Sequence, residues 1–300
     1  MFVIVPEAIT DATLTASNVA ETDYAVWSSA TSYTVGQRVI LTTGVHKIFE
    51  CITANTNKNP ATDPAAVTYW LPISATNRWK PFDTKLSDPT TKAGNITYTL
   101  SPVGLNDSLA FFGLSASSVT AVVKQSGTTI STSTVDLVDR TGAVNFFEWF
   151  FDDIVYSPVA LITDFFSATG YTIDITIAGS GTVQVGEIIL GRNRQLGDTN
   201  LGSSIGIKDY SRKDRDAFGN PIIVQRPFSD LIDYKFTFPA TDARRVKGIL
   251  AGLRATACVY HAGPDTLMFG TTAFGFYNNF DIPLTDRSMS FATLQVEGLV

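Results

Sequence analysis

Charge is scarce in this chain: Asp, Glu, Lys and Arg make up only 17% of its 300 residues. Hydrophobic residues reach 44%, so a disordered polyelectrolyte is excluded and there is apolar material for real cores. Histidine and cysteine occur twice each. Cys51 and Cys258 lie far apart, so spacing gives neither a disulfide framework nor a cysteine metal site. Both read as buried free thiols of a protein made in a reducing cytoplasm. No run approaches the roughly 18 apolar residues that a membrane-spanning helix needs. The start, "MFVIVPEAIT", has no basic segment before its short apolar run and carries a proline, so it does not read as a signal peptide. A P-loop, a dinucleotide fingerprint and a G-x-S-x-G elbow are all missing. No cofactor and no metal are expected.

What the chain has in plenty is Thr, Ser, Val, Gly and Phe, the composition of short strands joined by turns. The net charge of −6 argues against nucleic acid as the partner of the whole chain. The charge is uneven. Residues 1–191 carry 9 basic and 17 acidic side chains, net −8, residues 192–254 carry 12 and 7, net +5, and residues 255–300 carry 1 and 4, net −3. A basic segment between acidic ones suits a protein–protein contact at least as well as a polyanion.

The pattern along the chain predicts a mainly β protein in four parts. Residues 1–20 give a short strand at 2–5 and a linker or arm. Residues 21–75 form a compact aromatic unit with two strands around a turn at Thr43 and Gly44. Residues 76–190 carry repeated strand signals, indicating a β-sandwich of jelly-roll type. In "YTIDITIAG", Tyr171, Ile173, Ile175 and Ile177 point one way, and Thr172, Asp174 and Thr176 the other. Residues 191–300 form an α+β domain. It has two strands joined by a turn at 218–221, and one main helix with Thr241 as N-cap and Val246, Ile249, Leu250 and Leu253 as its apolar stripe.

Few residues offer catalytic chemistry. In "NFFEWFFDD", read as a strand, Glu148 and Asp152 share a face, with Asp153 beside them. They are the best carboxylates for glycoside hydrolysis, and also simply the solvent side of a sheet. His261, with Asp265 nearby, reads as a polar strand-end residue. "DRDAFGN" lacks oxygen positions of a calcium loop and reads as a turn. What remains is the aromatic set Trp27, Tyr33, Phe49, Tyr69 and Trp70. Exposed rings of this kind stack on sugars. The competing reading is that a unit of about fifty residues without a disulfide needs these rings as its core.

The order "WSSATSYTVGQRV", "HKIFEC", prolines and "YW" resembles the small carbohydrate-binding modules of chitinases, families 5 and 12. His46 stands where those modules usually have tyrosine, and Ile52 and Thr53 where exposed aromatics often sit. The continuation "ISATNRWKPFD", then "GDTNLGSSIGIKDYSRKDRDAFGNPIIVQRPFSD" and the closing "VEGLV", looks like a set of tailed-bacteriophage tail proteins in which such a module precedes a β-sandwich. The resemblance implies a structural virion protein of the tail tip or baseplate, without enzymatic activity, made in the host cytoplasm. Its implied partners are other tail proteins, copies of itself (a trimer among the options) and a host-surface glycan. In "NRWKPFD" it implies an anchor, with Trp79 and Phe82 buried against the sandwich and Lys80 and Asp83 at the rim. Arg212, Lys213, Arg215, Arg244, Arg245 and Lys247 are the candidate assembly contact. The rival function is a polysaccharide depolymerase using Glu148 with Asp152 or Asp153. A third reading is a baseplate adaptor with no sugar site.

Overall fold

A computed structural model describes residues 1–139, 145–151, 155–215, 217–263, 270–283 and 288–300. The protein is mainly β, organised around one curled antiparallel sheet of ten strands. Its order is Ala160–Ile162, Ser108–Phe112, Glu187–Gln195, Phe2–Pro6, Cys258–His261, Ala273–Asp281, Met289–Gly298 and Phe228–Pro239. Both Asp198–Thr199 and Ser204–Asp209 pair with the outer side of Phe228–Pro239. A second sheet, of five strands, runs Thr128–Asp136, Ser118–Gln125, Tyr171–Ala178, Ile96–Leu100 and Leu14–Ser17.

The two sheets meet face to face. Ile96, Tyr98, Val119, Val123, Ile173, Ile175 and Ile177 from the smaller sheet close a core with Leu109, Phe111, Ile188 and Leu190 from the larger. The alternation read in Tyr171–Ala178 produces this face, because successive strand side chains point to opposite sides. At the other end of the large sheet, Val246 and Leu250 of the helix Ala243–Gly252, the half-buried Ile249 and the C-cap Leu253 pack in one core with Ile232, Tyr234, Phe236 and Leu294. The expected stripe is therefore the buried one. The expected cap is not: a 3-10 turn, Ala240–Asp242, precedes the helix, and no side chain caps it.

The strand expected at 2–5 forms. Phe2–Pro6 lies between Glu187–Gln195 and Cys258–His261, in the middle of the large sheet. The linker or arm after it contributes Leu14–Ser17 to this chain's own five-stranded sheet. The boundary expected between 190 and 191 falls inside Glu187–Gln195, which pairs with Ser108–Phe112 on one side and Phe2–Pro6 on the other. Gly191 makes that crossing close-packed, since a Cβ there would sit 2.3 Å from the Val5 carbonyl oxygen. Finally, "FFEWFF" is a short helix, Phe146–Phe151, and not a strand. The Asn145 side chain accepts the Phe147 N–H at 3.0 Å, and Phe146 meets Phe150 edge-on at 4.9 Å, an i,i+4 contact that only a helix makes.

The aromatic unit holds a separate three-stranded sheet, Arg38–Ile40, Lys47–Cys51 and Trp70–Ala75. It joins the rest of the protein through the turn Lys80–Phe82.

Candidate functional site

Tyr33, Phe49 and Trp70 form the core of the small unit, together with Val39 and Cys51. Trp70 is 2% exposed, and its indole N–H donates to the Lys58 carbonyl at 2.8 Å. Tyr33 meets it edge-on at 5.2 Å. Rings enclosed in this way offer no face to a sugar, so these three leave the candidate platform. The physical reason is size, as a unit this small spends its largest residues on its own interior. Trp27 and Tyr69 remain half-buried at the edge of that core. The Lys58 ammonium stands 5.5 Å over the Tyr69 ring.

The better-built site lies where the unit meets the two-layer core. His46 stacks on Trp79, with centroids 4.1 Å apart and planes 20° from parallel. The His46 ring nitrogens face two carboxylates, Glu21 at Nδ1 (2.9 Å) and Asp11 at Nε2 (2.5 Å). Glu21 also accepts from the Thr76 hydroxyl at 2.8 Å, and the Thr76 N–H donates to the His46 carbonyl at 2.9 Å. Trp79 leads to Phe82 and Phe82 to Tyr98, each edge-on, at 6.0 and 5.6 Å. The anchor implied for "NRWKPFD" thus has Trp79 and Phe82 packed against the two-sheet core, though both keep part of their surface in solvent. Beside it opens a cleft of about 630 Å³ lined by Ile9, Asp11, His46, Lys47, Trp79 and Asp83. The Trp79 indole N–H and one Asp83 carboxylate oxygen are enclosed without a hydrogen-bond partner. Next to Asp83, Glu187 is 3% exposed and accepts the Thr84 N–H at 3.1 Å. Burial, then the nearby Asp83 charge, pushes the Glu187 carboxyl up to about 9.

The basic candidates sit on two elements. Arg244 and Lys247 are exposed on the helix, and Arg245 donates to the Gln195 carbonyl and to Asp242, both at 2.9 Å. Arg212, Lys213 and Arg215 lie on a separate hairpin, Arg212–Arg215 with Pro221–Val224. Lys213 pairs with Asp209 at 3.0 Å, and Arg212 with Asp214.

Of the carboxylates singled out for glycoside hydrolysis, Glu148 belongs to a helix and not to a strand, and Asp152 and Asp153 lie outside the described residues. Asp265 lies outside them too. His261 is buried, stacked on Phe2 at 5.1 Å, and burial holds its imidazole down at about 4. Cys51 and Cys258 are buried free thiols, and burial pushes the Cys258 thiol up to about 12. Among the described residues, no group of His, Cys, Asp and Glu is arranged to hold a metal ion.

Sequence reasoning missed the His46–Asp11–Glu21 cluster, whose members carry no motif and meet only through the fold. It also missed the exposure of Ile205, Ile207, Ile222, Ile223 and Val224. Their runs read as ordinary strands, and composition alone does not separate an exposed strand from a core one. A scan against family models, a search of curated proteins and a search of solved structures each match nothing.

Proposed function

We propose that this chain is a structural, non-enzymatic virion protein of a phage tail tip or baseplate. In this reading the two-layer region is a jelly-roll-like sandwich, the aromatic unit is a carbohydrate-binding-like module, and the region from 191 onward is the assembly part. The tail-protein resemblance of "NRWKPFD" and "DYSRKDRDAFGN" suggests the reading. The observation that carries it is the exposed apolar and basic surface along Ser204–Asp209 and the hairpin after it, where Ile205, Ile207, Ile222, Ile223 and Phe228 stand in solvent beside Arg212, Lys213 and Arg215. Apolar residues on that scale mark a protein contact. An antibody against the chain should label the distal end of purified tails, and mass spectrometry should find the chain in intact particles. Its absence from particles overturns the reading.

The module's role is the second question. With Tyr33, Phe49 and Trp70 enclosed, a glycan contact rests on Trp27 and Tyr69. Trp27→Ala with Tyr69→Ala should weaken adsorption to host cells while the particles still assemble. Unchanged adsorption favours the adaptor with no sugar site.

A further inference from the structure

The hairpin Arg212–Arg215 with Pro221–Val224 has no core of its own. Every residue of both strands is exposed. Arg212 stands opposite Val224, Lys213 opposite Ile223, and Asp214 opposite Ile222. Directly opposed residues share a face. Ile222 and Val224 therefore lie on one face and Ile223 on the other, so the apolar side chains cannot cover each other. Ile223 is 67% exposed, and Phe218 near the tip is 92% exposed. A lone two-stranded hairpin is marginally stable at best in water.

Its base, in contrast, is fixed. The hairpin continues the pairing of Ser204–Asp209 with Phe228–Pro239 beyond the body of the sheet. Tyr210 and Lys208 both donate to Glu297, at 2.5 and 2.7 Å, and the Arg226 N–H donates to the Ser211 hydroxyl at 3.1 Å. A tethered base with an exposed apolar strand, Pro221–Val224, is the geometry of an arm. Alongside it, Ser204–Asp209 pairs only with Phe228–Pro239 and leaves its other edge open among the described residues, with Ile207 68% exposed.

Charge indicates what covers the arm. Residues 210–226 carry four basic and two acidic side chains, net +2, in a chain of net −6, so the remainder is net −8. Arg215 and Arg226 form no ion pair among the described residues. Another copy of the chain offers each arm a body of opposite sign and an open sheet edge, the two things the arm lacks. We infer that residues 210–226 are an oligomerisation arm that docks its Ile222–Val224 strand on a second copy of this chain. This inference rests on the structural reading above and names the partner of its assembly surface.

The test is the mass of the purified full-length chain by light scattering and sedimentation, from about 1 µM to about 100 µM. A multiple of the monomer is expected, weakening about tenfold or more between about 0.05 M and about 0.5 M salt. Ile222→Asp with Ile223→Asp should give a monomer, as should replacement of residues 212–225 by two glycines. Both should melt as the monomeric form does, because the arm contributes nothing to either core. Arg215→Glu with Arg226→Glu should weaken association about tenfold at low salt. A monomeric wild-type chain, or arm variants that still associate, overturns the proposal. If that monomeric chain is nonetheless found in particles, the structural reading stands without the arm. If an arm-dependent oligomer forms but never enters particles, the arm stands and the structural reading fails.

Discussion

His46 and Trp79 stack at 4.1 Å, one from the small aromatic unit and one from the segment that leads into the two-sheet core. Both imidazole nitrogens face carboxylate oxygens, so the ring is held at both edges while its face lies on the indole. Trp79→Ala should cost about 3 kcal/mol, the low end for losing a large aromatic because the ring is only partly buried. The loss should be local. Limited proteolysis should release or shorten residues 21–75 while the two-sheet core stays intact. An unchanged digestion pattern would show that the stack does not hold the two parts together.

Glu187 gives a test with a definite sign. Its carboxyl is raised from 4.5 to about 9, so the folded chain holds a proton there that the unfolded chain has lost. The stability it permits is full below 4.5 and falls as pH rises through about 9. Glu187→Gln keeps an acceptor for the Thr84 N–H and removes the ionisation. The variant should be more stable than wild type by roughly 1–3 kcal/mol at about pH 8 and should lose the advantage near about pH 4. Denaturant melts at the two pH values read this directly, and equal stability at the higher pH would mean that Glu187 is not held protonated.

His261 runs the other way. Burial lowers its imidazole from 6.5 to about 4, so the folded state keeps it neutral. Its contribution is present above 6.5 and is lost as pH falls through about 4. In a nitrogen-detected titration, the ring should stay neutral down to about 4. Titration at the ordinary histidine value would show that the Phe2 stack opens readily.

Much of the β architecture was legible because its signal is local. Ile173, Ile175 and Ile177 alternate and are buried as expected, and Val246, Leu250 and Leu253 repeat with the helical period and face the sheet. What failed depends on partners distant in sequence. Nothing in "FVIV" tells that Phe2–Pro6 is flanked by residues near 193 and near 260. The run "FFEWFF" reads as a strand by its alternation, and the Asn145 side chain that accepts the Phe147 N–H at the start of the helix gives no pattern that overrides that reading. Tyr33, Phe49 and Trp70 serve equally well as a core or as a sugar platform until the neighbouring chain is placed. "PIIV" has the composition of a buried strand and stands in solvent, because exposure is decided by whatever packs against it.

Glu297 fixes the base of the arm and supplies the last prediction. It accepts from Lys208 at 2.7 Å, from Tyr210 at 2.5 Å and from Asn278 at 2.8 Å. Those hydrogen bonds, Lys208 first, hold its carboxyl down at about 2. The support is therefore present above 4.5 and is lost as pH falls through about 2. The three donors reach it from Ser204–Asp209, from the start of the arm and from Ala273–Asp281, so one carboxylate ties three segments together. Its surroundings are partly solvated, which keeps its effect on global stability small, of the order of 1 kcal/mol or less for an exposed pair. The local effect is what matters. Glu297→Gln removes the charge that Lys208 and Tyr210 share, and the segment at 210–211 should open more often. Amide exchange should rise at residues 208–211 and 226–229, while Ile232, Tyr234 and Leu294 in the core remain as protected as before. Equal exchange at the base in both proteins would mean that backbone pairing alone holds the arm, and that Glu297 serves only as a surface acceptor.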